Sequence, residues 1–203
     1  MSTVKITDIK AQVKREGRYS IFVDGTYSFS LSENEVLNVG IKIGQEFDEA
    51  GLEQLKTKAA EDKAMMRAYD LLSRRSRSTW EMHEYLKRKD YPKSLIEKIL
   101  NTLSNRGYLD DEKFARAWVQ SRRQLKYTNK RRLMLELQQK HISQDIITLV
   151  LEEDTTDELA VLRELITKKR SQSRYQDEHK LVTYLARQGF NYGDIKAVLD
   201  DLA

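Results

Sequence analysis

The chain has 203 residues, a formal net charge of +4, one proline and no cysteine, and 33% of its residues are charged. The lack of cysteine excludes disulfides, thiolate metal ligands and a cysteine nucleophile, while the charge and proline content favour a mainly helical protein. No apolar run is long enough to span a membrane and no signal peptide is predicted at the start, so the expected location is cytoplasmic.

The first part of the chain has the alternating apolar and polar pattern of β strands. A change of alternation near Thr7-Asp8 predicts a bulge, and Asp24-Gly25 predicts a hairpin. A two-residue loop would place Ile21 opposite Ser28 and split the apolar face. We therefore expect a three-residue loop that pairs Ile21 with Tyr27.

A short helix and a short strand complete the predicted β-rich module, residues 1–50. Ser32 and Glu35 form a capping box for the helix, and apolar residues within 41–47 predict the strand. Asp48 is the predicted N-cap of the helix that follows. Because the module has no glycine-rich phosphate loop, we interpret it as a small sheet that docks on the helices or on a partner.

A helix–turn–helix pattern then occurs three times. Counted from Leu86, Leu137 and Leu185, six offsets are apolar in all three windows. In the middle window these positions are Leu133, Leu137, Ile142, Ile147, Val150 and Leu151. A pattern repeated at a period of about 50 residues is typical of a tandem-repeat protein.

The turns within these windows have the same chemistry. The residues four positions after the three origins are Asp90, His141 and Gly189. These residue types tolerate the left-handed backbone conformation that ends many helices. Ser143 and Asn191 are the predicted N-caps of the next helix, whereas the first copy has Pro92 at this place, which costs little at a helix start.

The predicted fold class is therefore mainly α, with three tandem three-helix repeats after the small β-rich module. The boundaries are a connecting helix over 51–62 and repeats over 63–109, 110–158 and 159–203. A repeat that cannot bury its own apolar face packs on the next one, so we expect a curved array in which equivalent positions line up.

A basic connector joins the first and second helices of each predicted repeat. The middle connector, 122–132, carries six positive charges and no negative one. The basic residues of the three connectors are Arg74, Arg75 and Arg77; Arg122, Arg123, Lys126, Lys130, Arg131 and Arg132; and Lys168, Lys169, Arg170 and Arg174. A row of such side chains suits a long polyanion such as DNA, although a charge run is often only a solvated face. Tyr127 and Tyr175 are candidates for base stacking, with loop anchoring as the alternative.

The sequence predicts no catalytic or metal site. The three histidines, His83, His141 and His179, lie in different repeats without the spacing of metal ligands. The acidic pairs 110–111 and 152–153 stand at helix ends, where capping and dipole effects explain them. We therefore predict a protein that is not an enzyme and needs no cofactor.

The segment 106–111, with the sequence Arg-Gly-Tyr-Leu-Asp-Asp, is followed by Phe114-Ala115 and Trp118-Val119. This stretch resembles the bacterial RecX regulatory family, and the similarity extends over 63–203. The family usually has Lys-Gly after its Glu-Leu helix, where this chain has Lys140-His141. Histidine tolerates the same backbone conformation, so the departure leaves the expected fold unchanged.

The resemblance implies a regulator of the RecA recombinase in homologous recombination, DNA repair and the SOS response. Such proteins lie in the groove of the RecA filament on single-stranded DNA and inhibit filament growth, ATP hydrolysis, strand exchange and the LexA co-protease activity. The expected partners are this filament and single-stranded DNA, with weaker binding to duplex DNA and none to membranes, and the expected state is a monomer. The connector residues are assigned from their spacing and not from the family.

Two other functions fit the same patterns. One is a tandem-helix DNA-binding protein without a RecA partner, which would prefer naked DNA to RecA-coated DNA. The other is a helical adaptor whose basic rows meet acidic protein surfaces, with no dependence of partner binding on DNA.

Overall fold

The computed structural model describes residues 3–202 and divides the chain into two units. Unit 1 contains the chain up to Ser76 together with Met82–Tyr108, and unit 2 contains Arg77–Glu81 together with the chain from Leu109 onward. No helix among the described residues is both long and apolar enough to cross a bilayer.

Unit 1 begins with an antiparallel four-stranded sheet in the order β3-β2-β1-β4. The strands are β1 (Val4–Ala11), β2 (Arg18–Val23), β3 (Thr26–Ser32) and β4 (Glu46–Phe47). Their apolar face buries Ile6, Ile21 and Leu31 against Leu55 and Ala59 of the following long helix. The predicted bulge in β1 is confirmed, because its register with β2 shifts between Ile6 and Asp8.

The β2–β3 hairpin differs from the prediction. Its turn contains only Asp24 and Gly25, with φ of 47° and 81°, the left-handed pair of a two-residue hairpin turn. A register shift then follows, so that Ile21 pairs with Phe29 and not with Tyr27. The three-residue loop was therefore wrong: a bulge beyond the turn restores the apolar face that a two-residue loop alone would have split.

Helix α1 (Glu33–Val39) begins where the capping box predicted. The hydroxyl of Ser32 accepts the N–H of Glu35, and the helix ends at Gly40 in the left-handed conformation. The strand predicted over 41–47 forms only at β4, because Ile41 turns into the core and the next apolar side chain, Ile43, is exposed.

Helix α2 (Glu49–Arg74) is a continuous helix of 26 residues that begins at its predicted N-cap, Asp48. Its first half packs on the sheet, while Ala64 and Ala68 in its second half are fully buried. Helices α3 (Thr79–Lys87) and α4 (Lys93–Asn105) follow, and α4 packs against α2. The helix that supports the sheet is therefore also the first helix of the first repeat.

Unit 2 contains two further sets of three helices. They are α5 (Asp111–Lys126), α6 (Lys130–Gln139) and α7 (Gln144–Glu153), then α8 (Glu158–Arg170), α9 (Glu178–Arg187) and α10 (Tyr192–Asp201). Each set encloses its own core, centred on Leu137 in the first and Leu185 in the second, both fully buried. The six repeated apolar offsets are buried in both sets, which confirms the three-helix repeat.

The repeated turns adopt the predicted conformation. Asp90, His141 and Gly189 have φ of 59°, 55° and 102°. Ser143 and Asn191 accept hydrogen bonds at the starts of α7 and α10, whereas Pro92 makes no side-chain cap before α4. The turn and cap chemistry of the sequence thus places the second and third helices of each repeat.

Candidate nucleic-acid interface

The first basic connector crosses the division between the units. Arg74 pairs with Asp70 at 2.9 Å on the exposed surface of α2, and Arg75 donates to the carbonyl of Ser76 at 2.9 Å. Arg77 is half-buried and lies in unit 2. The predicted place of these three arginines in a common basic row therefore stays a prediction.

The middle connector is a tight turn between α5 and α6. Tyr127 ends α5 in the left-handed conformation, with φ of 52°, and the next residue, Thr128, is buried. Asn129 then caps α6 by accepting the N–H of Arg131. Because both ends of the turn are fixed, the basic side chains on either side of it have defined positions.

Arg122 ties α5 to α6. Its Nε donates to Glu136 at 2.6 Å, and its guanidinium lies 4.2 Å from the ring centroid of Trp118, whose indole N–H also donates to Glu136. Burial alone would raise the pKa of Glu136, but the hydrogen bonds from Arg122 and Trp118 outweigh it and the pKa lies below its ordinary value. Arg122 is thus mainly a structural residue.

Arg123 is buried, with only 9% of its side chain exposed. Its guanidinium donates to Asp154 at 2.9 and 2.5 Å, to Glu158 at 2.5 Å and to the carbonyl of Thr128 at 2.7 Å. These bonds fix the end of α5 to the segment that leads into α8. Such a fully occupied guanidinium has little left to offer a ligand.

The remaining cations of the middle connector form a surface that we call the α6 basic edge: Lys126, Lys130, Arg131 and Arg132. Lys126 and Arg131 are exposed, and Arg132 is 46% exposed with Glu136 at 3.4 Å. Three of the four residues open α6, whose first turn has no acidic residue. The exposed cations of this edge favour the approach of anions.

The third connector follows α8. Lys168 lies 4.9 Å from the ring centroid of Tyr127, which places it beside the middle connector. Lys169 lies over the ring of Tyr175, and Arg170 donates to the carbonyl of Leu202 at 3.3 Å. Arg174, in the short 3₁₀ turn Ser173–Tyr175, is exposed. The two connectors of unit 2 are thus adjacent at Lys168 and Tyr127.

The two candidate stacking residues are anchored. Tyr127 and Tyr175 are half-buried and pack against the core of the third repeat. Tyr175 also contacts the ring of Tyr184, with 5.1 Å between centroids. These contacts correspond to the loop-anchoring alternative, although each ring keeps an exposed part.

The third repeat packs directly on the start of α6. A Cβ atom placed on Gly189 would lie 3.2 Å from the Cβ and 3.3 Å from the backbone nitrogen of Arg132. From the other side, the carboxylate of Glu158 accepts the N–H of Lys130 at 3.1 Å and the amide of Asn129 at 2.7 Å. The α6 basic edge is therefore held in place by the repeat that follows it.

The sequence analysis did not identify Glu136, Asp154 and Glu158, the carboxylates that position the connector. Two of them lie 31 and 35 residues beyond Arg123 in the chain. Glu158 is the first residue of α8, and its place after the N-cap Asp157 was the only local signal. That signal predicts a helix start but not a contact with the preceding repeat.

Four family models match the chain. They are the Regulatory protein RecX N-terminal domain over residues 4–48, and the first, second and third three-helix domains of RecX over residues 64–103, 110–151 and 156–199. Together these matches cover both the sheet and the three helical repeats.

Similar proteins and structures carry the same name. Regulatory protein RecX of Bacillus pumilus (strain SAFR-032) is 32% identical over 201 residues, which cover 97% of this chain and 76% of that protein. Regulatory protein RecX of Bacillus subtilis (strain 168) is 29% identical over 202 residues, with the same coverage. A crystal structure of regulatory protein RecX, 28% identical, superposes with a TM-score of 0.68 and covers 97% of this chain and 99% of the other. A crystal structure of RecX from Lactobacillus salivarius, 22% identical, shares the fold over 70% of this chain and 96% of its own, with a TM-score of 0.57.

Proposed function

Because the chain belongs to the RecX family of regulatory proteins, we propose that it binds the RecA filament on single-stranded DNA and inhibits RecA. The inhibited activities would be filament growth, ATP hydrolysis, strand exchange and LexA co-protease activity. A cytoplasmic, non-enzymatic protein without a cofactor suits this role.

The observation that carries the proposal is the α6 basic edge. Four cations project from one fixed turn and the start of one helix, and Lys168 of the third repeat lies next to them. Each phosphate contact with such a side chain releases counterions, which favours binding to a polyanion. A rigid presentation lowers the entropy lost on binding.

The geometry divides the predicted site residues into two groups. Arg122 and Arg123 hold the fold, and their loss would act on DNA binding only by displacing the connector. The α6 basic edge with Lys168 is the group that we assign to phosphate contacts. The arginines of the first connector stay candidates for phosphate contacts.

A protein partner follows from the size of this charged surface. A net charge of +4 and a few phosphate contacts give only weak, salt-sensitive binding to naked DNA. Contacts with RecA would add the affinity that selects the filament. The main alternative, a DNA-binding protein without a RecA partner, predicts tighter binding to naked than to RecA-coated single-stranded DNA, and competition at fixed salt separates the two.

The direct test measures RecA-driven ATP hydrolysis on single-stranded DNA with substoichiometric amounts of this protein. The wild type should inhibit, and the double variant Lys126→Glu/Arg131→Glu should lose most of that inhibition because it reverses two exposed cations of the α6 basic edge. The matched control is Lys180→Glu/Lys196→Glu, which makes the same charge change at exposed positions of unit 2 outside the connectors.

The two possible failures have different meanings. A wild type that leaves ATP hydrolysis unchanged would contradict the proposed function. A folded Lys126→Glu/Arg131→Glu variant that inhibits as well as the wild type would contradict only the assignment of the α6 basic edge.

A further inference from the structure

A second basic surface lies in unit 1, and none of its wall residues belongs to a basic connector. Two cavities of 370 Å³ each share Lys63 and Arg67 of α2 as wall residues. The first cavity extends toward the loop before β2, where Arg15 lines it, and the second extends toward β3 and the turn after α3, where Tyr27 and Lys89 line it. We call these two neighbouring cavities together the α2 groove.

The charges of the α2 groove repel one another. Burial lowers the pKa of Lys63, and the positive charges of Arg67, Arg18 and Arg15 lower it further. Among the described residues, no negative charge contributes to this shift in the pKa of Lys63. Cations that repel one another are stabilised when an anion binds among them.

Among the described residues, the nearby carboxylates of α2 neutralise Arg18 and Lys98 but not Lys63 or Arg67. Asp62 pairs with the buried Arg18 at 3.2 Å and accepts the N–H of Ser32 at 2.8 Å. Glu61 pairs with Lys98 at 2.6 Å. α2 therefore directs its carboxylates to the sheet and to α4.

The wall residues confirm the imbalance. Asp70, which lines the first cavity, pairs with Arg74, and Glu16 is the other acidic wall residue there. The wall of the second cavity contains no acidic residue and four cations: Lys56, which pairs with Glu53 outside the wall at 2.6 Å, and Lys63, Arg67 and Lys89. The positive charge of the groove thus increases from the first cavity to the second.

Two aromatic rings lie among these cations. Tyr27 is 57% exposed, and an edge contact with Phe22, 6.1 Å between centroids, supports its ring. Tyr91 is half-buried, and its hydroxyl accepts a hydrogen bond from Arg67 at 3.2 Å. The second cavity therefore combines cations with an exposed aromatic face, the combination that binds single strands by phosphate contact and base stacking.

We propose that the α2 groove binds single-stranded nucleic acid, with phosphates at Lys63, Arg67 and Lys89 and a base against Tyr27. An acidic peptide would satisfy the cations but would make no use of the exposed ring. The inference extends the proposed function by adding a second DNA contact, and it does not depend on RecA.

The test uses the full chain without RecA and follows the fluorescence anisotropy of a labelled oligothymidylate at several salt concentrations. Lys63→Glu should weaken binding several-fold and make the slope of log affinity against log salt shallower by at least about 0.7, the contribution of one single-strand phosphate contact. Lys63→Gln should have an intermediate effect. Lys63 has no structural partner among the charges described above, so both variants should keep the wild-type far-UV circular dichroism.

The matched control is Lys58→Glu, which makes the same charge change at an exposed position of α2 that lines neither cavity. It should bind nearly as well as the wild type. Equal losses of oligothymidylate affinity in Lys58→Glu and Lys63→Glu would indicate a general charge effect. An unchanged affinity in Lys63→Glu would show that Lys63 does not contact the strand. Either result overturns the assignment.

A second pair of variants tests the base contact. Tyr27→Ala should weaken oligothymidylate binding with no change in the salt slope, because stacking releases no counterions. Tyr192→Ala removes a similarly exposed ring, 68% exposed, from unit 2 and should bind like the wild type. A Tyr27→Ala variant that binds as the wild type does would remove the argument for a nucleic-acid strand.

Two competitors identify the ligand class. Thymidine monophosphate at an equal nucleotide concentration should compete poorly, and full competition would indicate a single-phosphate site. A labelled hexaglutamate peptide should bind weakly, and a Lys63→Glu variant that loses the peptide but keeps the oligonucleotide would assign the groove to an acidic protein segment.

This experiment separates the two proposals. Inhibition of RecA by a wild type that does not bind oligothymidylate through Lys63 would contradict only the α2 groove. Binding through Lys63 by a protein that leaves RecA unaffected would contradict only the proposed function.

Discussion

Two contacts within unit 2, each at the start of a repeat's second helix, use the same backbone arrangement with different side chains. At the start of α3, the N–H of Thr79 donates to Asp111, the first residue of α5, at 2.7 Å. At the start of α6, the N–H of Lys130 donates to Glu158, the first residue of α8, at 3.1 Å. In both cases a carboxylate from the next repeat caps the second helix of the preceding one.

The surroundings of these two caps differ. At the first contact, the buried Ser78 donates to the carbonyl of Lys140, and Trp80 stacks on His141 with 4.2 Å between centroids. At the second, the buried Arg123 and its carboxylates fill the corresponding region. The first contact thus combines small polar and aromatic groups with one ion pair, Lys140–Glu81 at 2.7 Å, whereas the second depends on one buried arginine held by two carboxylates. A common repeat geometry does not require a common source of stability.

The largest expected effect comes from Arg123→Met, which leaves Asp154 and Glu158 without their partner. Removing one member of a buried ion pair costs about 3–5 kcal/mol, so the urea midpoint should fall sharply. The exposed Arg131→Met is the control and should change stability by less than about 0.5 kcal/mol. Similar midpoints for the two variants would contradict the structural role of Arg123.

Acid should weaken the second contact, because protonation of Asp154 removes its ion pair with Arg123. Burial alone would raise the pKa of Asp154, but hydrogen bonds from Thr156 and Arg123 outweigh it and the pKa lies below its ordinary value. The resulting stability is present above the unfolded-state pKa, about 3.9, and is lost as pH falls through the lower folded-state value. Urea midpoints measured from pH 7 to pH 2 should therefore fall less in Asp154→Asn than in the wild type, and parallel profiles would count against this role.

Gly189→Ala tests how closely the third repeat approaches α6. Its φ of 102° disfavours any side chain, and the new Cβ would approach the backbone of Arg132. The left-handed conformation alone costs about 1–2 kcal/mol, and the close approach adds to it. Gly107→Ala is a control with similar backbone strain and nothing within 4 Å of the added Cβ, so a smaller loss there isolates the packing contribution.

The coupling between Trp80 and His141 should be the smallest effect, because it isolates their stacking from the other contacts of Trp80, which is 37% exposed. Aromatic pairs contribute about 0.5–1.5 kcal/mol beyond their buried area. A double-mutant cycle of Trp80→Ala with His141→Ala measures this coupling directly. A coupling near zero would show that the first contact depends on Ser78 and the carboxylate cap without the aromatic pair.

Repetition made much of the helical fold predictable. The offsets around Leu137 and the left-handed turn at His141 are local patterns, so three copies of each identify the helices and the turns between them. The β2–β3 register was not predictable in the same way. The bulge beyond Asp24-Gly25 depends on how the whole sheet packs on α2, and no local residue pattern specifies it.

The connector shows a similar limit. A run of six cations predicts a basic surface, but it does not indicate which side chains turn inward. Arg123 is buried because Asp154 and Glu158 come from more than 30 residues away, whereas Arg131, in the same run, is exposed. Single-sequence patterns place charges along a chain, and long-range partners decide which of them face solvent.

The carboxylate of Glu158 has a consequence for how the protein is made. The start of α6 carries cations and no acid of its own, and its first N–H, that of Lys130, is bound by a carboxylate that is synthesised 28 positions later. On the ribosome the second repeat acquires this contact only after the first turn of α8 has emerged. Folding of the second repeat is then completed by translation of the third.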